Sequence, residues 1–369
     1  MLELQKFIQK HDNWAELLAA EPYNLKISYY EKLVMFKYNQ LTADFSIPLV
    51  REARGIILER KPPYRVVCWP FEKFFNYGEE HAAQIDWSTA SVQEKIDGSL
   101  MKCYFWDDEW RLATNGTINA YLAQIDGCIE FQTYGELWDS IWPSWRNVME
   151  TCASKQATYV FEMVSPYNKV VIPYQESEVY FLGWRDNGTG YELLPTDSTI
   201  SHYCLMPNYY PFNSLGEVVA AANNLPWDRE GYVVCDEQFN RVKIKSPAYI
   251  TAHYAIANGV ITKKKLLKVI LANEEEEFLT YCPEYKEAID EIKEDIRRLE
   301  SNCSEALLKI SELPGYWREY PRKEIFERVV GWPNPEFKYI MANYNRYVSW
   351  KDFTKDWSVN KWMEMLEWY

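Results

Sequence analysis

The sequence predicts an α+β protein: antiparallel sheets folded around a cleft, followed by an all-α C-terminal domain. Two observations carry that prediction. Short apolar, β-branched and aromatic runs separated by turn signals recur as far as Ser246. After Pro247 no such run follows, and apolar spacings of three and four take over. With 369 residues the chain can bury two cores. The expected domains are 1–250 and 251–369.

The elements follow in order. Residues 1–20 predict one amphipathic helix, with Leu4, Phe7, Ile8, His11, Trp14, Leu17 and Leu18 on a face, ended by Pro22. Residues 25–29 and 33–38 predict strands, as do 54–59 and 66–69. Val92–Lys95 alternates and runs into Asp97-Gly98-Ser99. Residues 101–114 predict a hairpin turning at 107–109, and Asn115-Gly116 a second turn. Residues 117–155 predict helix in part, through Ile125, Ile129 and Phe131 and then Leu137, Ile141, Trp145 and Val148. Thr158–Val164, Val170–Ile172, Val179–Arg185, Tyr232–Val234 and Arg241–Lys245 predict further strands, with a helix near 215–223. In the C-terminal part, Tyr285, Ile289, Ile292, Ile296, Leu299, Cys303, Ala306, Ile310 and Leu313 predict one long helix stopped by Pro314-Gly315. Three tryptophan-rich helical pieces complete it.

Composition limits the function. The net charge is −14, which argues against a protein that coats nucleic acid through overall charge, although a local basic cleft stays open. The last 119 residues hold 18 basic and 21 acidic side chains, so they form no basic tail. The 16 Trp, 28 Tyr and 16 Phe supply cores and also suit stacking on bases. Eight scattered cysteines with no Cys-x-x-Cys, and four histidines, argue against zinc and for a reducing compartment. The first residues carry charges and no long apolar run, so no membrane span is expected and the cytoplasm, or a host's, is the expected setting.

Several residue groups carry chemistry. Lys95, at a strand end beside Gly98, suits an amine nucleophile with a phosphate approaching the glycine backbone. A hairpin turn with a solvated lysine is the alternative. Glu162 lies inside an apolar strand, where a carboxylate is costly unless paired or used. Glu230 stands at the lip of another such strand, before Gly231. Lys243 and Lys245 share one strand face, as an anion site or as an edge guarded against aggregation. Lys73 sits among aromatics beside Phe75, as a phosphate contact or a snorkelling surface lysine. Arg54 opens a buried strand, where it can face a cleft.

In this order and spacing the pieces resemble the covalent nucleotidyltransferases, the ATP-dependent ligases and capping enzymes. Lys95-Ile96-Asp97-Gly98-Ser99, Phe161-Glu162, Tyr180–Arg185, Glu230-Gly231-Tyr232-Val233 and Val242–Ser246 look like their successive motifs. Phe36-Lys37-Tyr38-Asn39, Ala53-Arg54-Gly55-Ile56, Glu72–Asn76, Ser165–Val171 and Pro173–Glu176 are similar to the phage-type RNA ligase 1 family. The resemblance covers roughly residues 25–280.

It implies an ATP-dependent RNA ligase that joins 5′-phosphate and 3′-hydroxyl ends in RNA, such as tRNA, repair. Lys95 would carry AMP. Lys243 and Lys245 would hold the α-phosphate and, with a metal, favour neutral Lys95. Glu162 would hold the ribose. Glu230 would position or bind a metal-associated water. Tyr38, Arg54 and Lys73 would contact the nucleotide on its phosphate side, with Phe75 supporting that wall and Gly98 close to the phosphates. The implied cofactors are ATP and Mg²⁺, with Mn²⁺ as the substitute. Glu275, in the run Glu274–Glu277, is a metal candidate beside the alternative of an acidic helix start. The implied partners are RNA and an end-healing kinase or phosphatase, and a monomer is expected. The helical tail would select the RNA. The chain departs from the family pattern at Asn115, where a lysine is common; Arg111 and Lys102 are the candidates to replace it. A DNA ligase or capping guanylyltransferase is the nearest alternative, but both append a small β-barrel where this chain turns helical. A non-catalytic RNA-binding protein leaves Lys95, Glu162 and Glu230 without a shared purpose.

Overall fold

The computed structural model describes residues 1–40, 42–125, 127–168, 171–254, 262–313, 315–366 and 368. The chain divides into two compact units, Met1–Ile256 and Ala257–Tyr369.

The first unit holds fourteen strands among its described residues: β1 Lys26–Tyr30, β2 Leu33–Lys37, β3 Arg54–Glu59, β4 Val66–Cys68, β5 Phe75–Asn76, β6 Ser91–Lys95, β7 Ser99–Trp106, β8 Glu109–Thr114, β9 Ala157–Val164, β10 Glu178–Asp186, β11 Glu192–Leu193, β12 Tyr209–Tyr210, β13 Gly231–Cys235 and β14 Arg241–Lys245. They form three sheets, ordered β1-β2-β3-β4, β11-β10-β9-β7-β8 and β12-β6-β13-β14-β5. Every pairing is antiparallel except β14 with β5.

Alternation along the strands explains the layering. On β7, Met101 and Cys103 join a core under the helices Tyr134–Ile141 and Trp145–Cys152, with Trp138, Trp145 and Phe161. Tyr104 and Trp106 point the other way and pack on Met35 and Ile57 of the first sheet. The first sheet's outer face is covered by the N-terminal helices through Leu4, Ile8 and Leu18. The third sheet packs Val92, Tyr232, Val234 and Ile244 on the helix Leu215–Asn223.

Several expectations need correction. The N-terminal helix is two helices, Glu3–Lys10 and Trp14–Ala19. Ile125 and Ile129 lie outside any helix, and Ile129 is exposed. Val171 and Ile172 form no strand, because their amides turn inward to the Asp97 carboxylate at 2.9 Å each. Val170 and Pro314 lie outside the described residues. The helix Pro247–Tyr254 belongs to the first unit, although helical character begins there.

The second unit is helical throughout its described residues. Its seam helix runs Lys286–Ser311, 26 residues, and buries Ile289, Ile292, Leu299, Cys303, Ala306 and Ile310. Four shorter α-helices follow it where three were expected: Arg322–Val329, Asn334–Asn343, Trp350–Thr354 and Val359–Met365.

Gly231 fixes how closely β13 approaches β14. Its φ is +143°, and a Cβ there would lie 2.1 Å from the Ile244 carbonyl oxygen. Gly231→Ala is expected to cost at least about 2 kcal/mol, since strain and overlap act together. An unchanged denaturant midpoint would contradict this.

Candidate active site

Lys95 ends β6 directly opposite Gly231 of β13, and Gly231 is opposite Lys245 of β14. The next row on that face is Gln93, Val233 and Lys243. Gly231 has no side chain, so the space between the two lysines stays open. Glu230, one residue earlier, fills it with charge. Its Oε2 accepts from Lys95 Nζ at 2.7 Å, and its Oε1 lies 3.5 Å from Lys245 Nζ. The carboxylate is only 4% exposed, so both lysines meet it in a largely dry setting.

Asp97 holds the turn after Lys95. It is buried and accepts from Tyr249 Oη at 2.9 Å as well as from the Val171 and Ile172 amides. Gly98 lines the cavity and is also required by packing. A Cβ there would lie 2.5 Å from the Met163 carbonyl oxygen and 3.0 Å from Glu162 Cγ. The glycine lets the turn lie against β9 and brings Lys95 towards Glu162.

A cavity of about 730 Å³ opens here. It is lined by Arg54, Phe74, Lys95, Gly98, Glu162 and Arg241, with the turn Thr114–Thr117. Its size suits a nucleotide. Burial raises the Glu162 carboxyl to about 7, because a charge in this wall is poorly hydrated; Lys95 and Arg54 oppose the shift, and Glu230 and Asp97 add to it.

The other expected residues divide. Lys243 lies 5.7 Å from the Phe74 ring centre, and Arg54 lies 5.1 Å from the same ring. Lys73 and Phe75 instead line a neighbouring cavity of about 620 Å³, which shares Phe74 and Arg241 with the first. Lys73 Nζ is held over Tyr38, Phe45 and Phe75 at 4.8 to 5.5 Å from the ring centres. Tyr38 packs behind this group on Phe45 and lines neither cavity. Glu275 belongs to the helical unit, where it starts the helix Glu275–Tyr281 and pairs with Lys293 at 2.9 Å. Arg111 pairs with Glu31 and Glu109. Lys102 is wholly buried beside the Asn115 turn.

Arg241 was within reach of sequence reasoning. It shares the alternation of Lys243 and Lys245, lines both cavities and pairs with buried Glu192. The donors to Asp97 left no sequence signal, since Tyr249 is 152 residues away.

Among the described residues no group of three or more His, Cys, Asp or Glu could hold a metal ion. Glu230 already serves two lysines.

Three sheets fold about a cleft lined by Lys95, Arg54 and Arg241, with the carboxylate of Glu162 beside them. A family model described as RNA ligase matches residues 52–249. That is more than half of the chain, and the chain belongs to this RNA ligase family. It is 28% identical to an RNA ligase of Rhodothermus phage RM378 over 344 residues, covering 76% of this chain and 77% of that protein. It is also 28% identical to a putative bifunctional polynucleotide kinase/RNA ligase of Autographa californica nuclear polyhedrosis virus over 289 residues. That match covers 73% of this chain and spans 40% of the viral protein. An archaeal ATP-dependent RNA ligase structure superposes with a TM-score of 0.47 at 14% identity, covering 82% of this chain and 83% of its own. That likeness is too loose to carry an argument.

Glu162 gives a pH prediction. Its folded carboxyl is raised from the usual 4.5 to about 7, so its contribution to stability is fully present below 4.5 and is lost as pH rises through 7. Glu162→Gln cannot ionise. It is expected to gain on the order of 1 kcal/mol relative to the parent between pH 5 and pH 8. The same difference in Tm at both pH values would contradict this.

Proposed function

We propose that this protein is an ATP-dependent RNA ligase acting through Lys95–AMP. The observation that carries the reading is Lys95 in a nucleotide-sized cavity, held 2.7 Å from Glu230, with Lys245 on the same carboxylate. Family membership points the same way.

In the first step Lys95 Nζ attacks the α-phosphorus of ATP. An N–P bond forms, the bond to the bridging oxygen breaks, and pyrophosphate leaves with the electron pair. The ammonium proton must go first, and Glu230 Oε2 is the acceptor in reach. Lys243 and Lys245 stabilise charge on the phosphate as it develops. Glu162 holds the ribose hydroxyls. A divalent ion, Mg²⁺ or Mn²⁺, would neutralise charge on the ATP phosphates.

In the second step an RNA 5′-phosphate oxygen attacks the same phosphorus. The N–P bond breaks and Lys95 regains its proton. In the third, an RNA 3′-hydroxyl attacks the 5′-phosphorus, forming the phosphodiester and releasing AMP. Arg54 serves the phosphate side directly. Lys73, Phe75 and Tyr38 act from the neighbouring cavity, past Phe74 and Arg241. The helical unit selects the RNA. A separate end-healing kinase or phosphatase prepares the ends, and the ligase acts as a monomer. Eight scattered cysteines with no Cys-x-x-Cys suit a cytoplasmic setting.

With α-labelled ATP and Mg²⁺ the protein is expected to take up acid-labile label that pyrophosphate discharges. Lys95→Ala should abolish uptake. Lys243→Ala should lower it at least about tenfold with the fold intact, as loss of one charged phosphate contact does. No adduct under any divalent ion would reject the proposal, and uptake from GTP alone would favour capping chemistry.

A further inference from the structure

The helical unit holds a cavity of its own, about 270 Å³ in volume. Arg298, Leu299 and Asn302 line it from the seam helix Lys286–Ser311, Pro335 and Glu336 from the helix Asn334–Asn343, and Met365 from the helix Val359–Met365. Spacings of three and four residues put Arg298, Leu299 and Asn302 on one helix face. Leu299, Pro335 and Met365 are buried and make its apolar walls.

Glu336 is the exception in this lining. It is 8% exposed, and its Oε2 is buried with no hydrogen-bond partner among the described residues. The local sequence explains the missing partner. Glu336 is the third residue of its helix, where a glutamate ordinarily accepts from the N-cap amide. The N-cap here is Pro333, which has no N–H, and Pro335 has none either. The helix start favours the negative charge, but these two positions give it no bond. On the seam helix, burial raises the Cys303 thiol to about 12, and the charge of Glu336 adds to the shift. Arg298, the cation of the lining, is paired with Asp295. A buried carboxylate oxygen without a donor is costly, and a ligand that brings N–H groups relieves the cost.

We propose that this cavity takes one guanine base of the RNA, read by Glu336. The proposal rests on the ligase reading and names what the helical unit selects. The cavity lies below the range of about 300 to 1,000 Å³ that holds a drug-sized ligand, so it admits one ring system and leaves ribose and phosphate outside. Its apolar walls suit the faces of a planar base splayed out of a single strand, whose Watson–Crick edge is then free to bond. An ionised carboxylate only accepts. Guanine carries N1–H and the N2 amino group side by side on that edge, and both donate to Glu336. Adenine and cytosine set a ring-nitrogen acceptor beside their amino group, and uracil sets a carbonyl on each side of its one N–H. Each of these brings a lone pair against the carboxylate. Arg298 and Asn302 are exposed and meet the sugar and phosphate outside.

The test measures equilibrium binding of the whole chain to 5′-phosphorylated single strands by fluorescence anisotropy. The strands are oligoadenylate, the same strand with guanosines interspersed, and the same strand with inosines in their place. The guanosine strand is expected to bind at least about fivefold tighter than oligoadenylate, the lower bound for a bidentate base contact. Inosine lacks the N2 amino group, so its strand should fall between the two. Glu336→Gln should remove the guanosine preference and leave adenylation by labelled ATP unchanged. Asn302→Trp, at an exposed helix position, fills the cavity and should do the same, and it decides alone if Glu336→Gln fails to fold. Equal affinity for the three strands, or a preference that survives in the folded variants, overturns the pocket and leaves the ligase reading standing. Inosine equal to guanosine overturns the guanine assignment. No adduct on the parent with labelled ATP overturns the ligase reading itself.

Discussion

One carboxylate between two lysines constrains the whole catalytic region. At an effective dielectric of 20, charges 2.7 Å apart attract by about 6 kcal/mol before desolvation is counted. Glu230 is almost fully buried, so that desolvation is substantial. Removing either side of such a pair leaves a charge stranded and costs about 3 to 5 kcal/mol. The arrangement also has a chemical consequence. Without nucleotide, Lys95 is held in place and its nitrogen is engaged. Lys245 on the other oxygen makes the carboxylate a shared resource that an incoming phosphate can redistribute.

The backbone makes this sharing possible. Lys95, Gly231 and Lys245 form one row across three strands, and only a glycine in the middle lets β14 come so close. Gly98 does the same against β9, and Asp97 locks the turn by accepting three hydrogen bonds from residues far along the chain. The nucleophile's position is thus set by packing and hydrogen bonding around it. Gly55 applies the same device on the opposite wall, where a bulge turns Arg54 into the cavity.

Much of this was legible in the sequence, and the rest was not for physical reasons. Strands such as Thr158–Val164 and Arg241–Lys245 announce themselves by period two, so their faces follow. Alternation alone puts Lys243 and Lys245 together, and the same logic should have added Arg241. The convergence of Lys95 on Glu230 depends on a pairing 135 residues apart that no local pattern encodes. Val171 and Ile172 are β-branched and read as strand, yet their amides are drawn to buried Asp97. The first helix breaks at residues 11–13 although its apolar spacing runs through, because packing rather than periodicity sets where it ends. Lys73 and Phe75 are legible as a lysine among aromatics, but which cavity they wall depends on Phe74 between them. The lysine expected at 115 is absent, and of the two candidates to replace it Lys102 is buried beside the turn while Arg111 pairs with Glu31 and Glu109.

The central claim is that Lys95 is the residue that carries AMP. Proteolysis of the protein after incubation with ATP and a divalent ion, followed by mass mapping under conditions that preserve phosphoramidates, tests it most directly. The account predicts AMP on the peptide containing Lys95, attached at that side chain. AMP attached to Lys243, Lys245 or any other residue, with Lys95 unmodified, would contradict it.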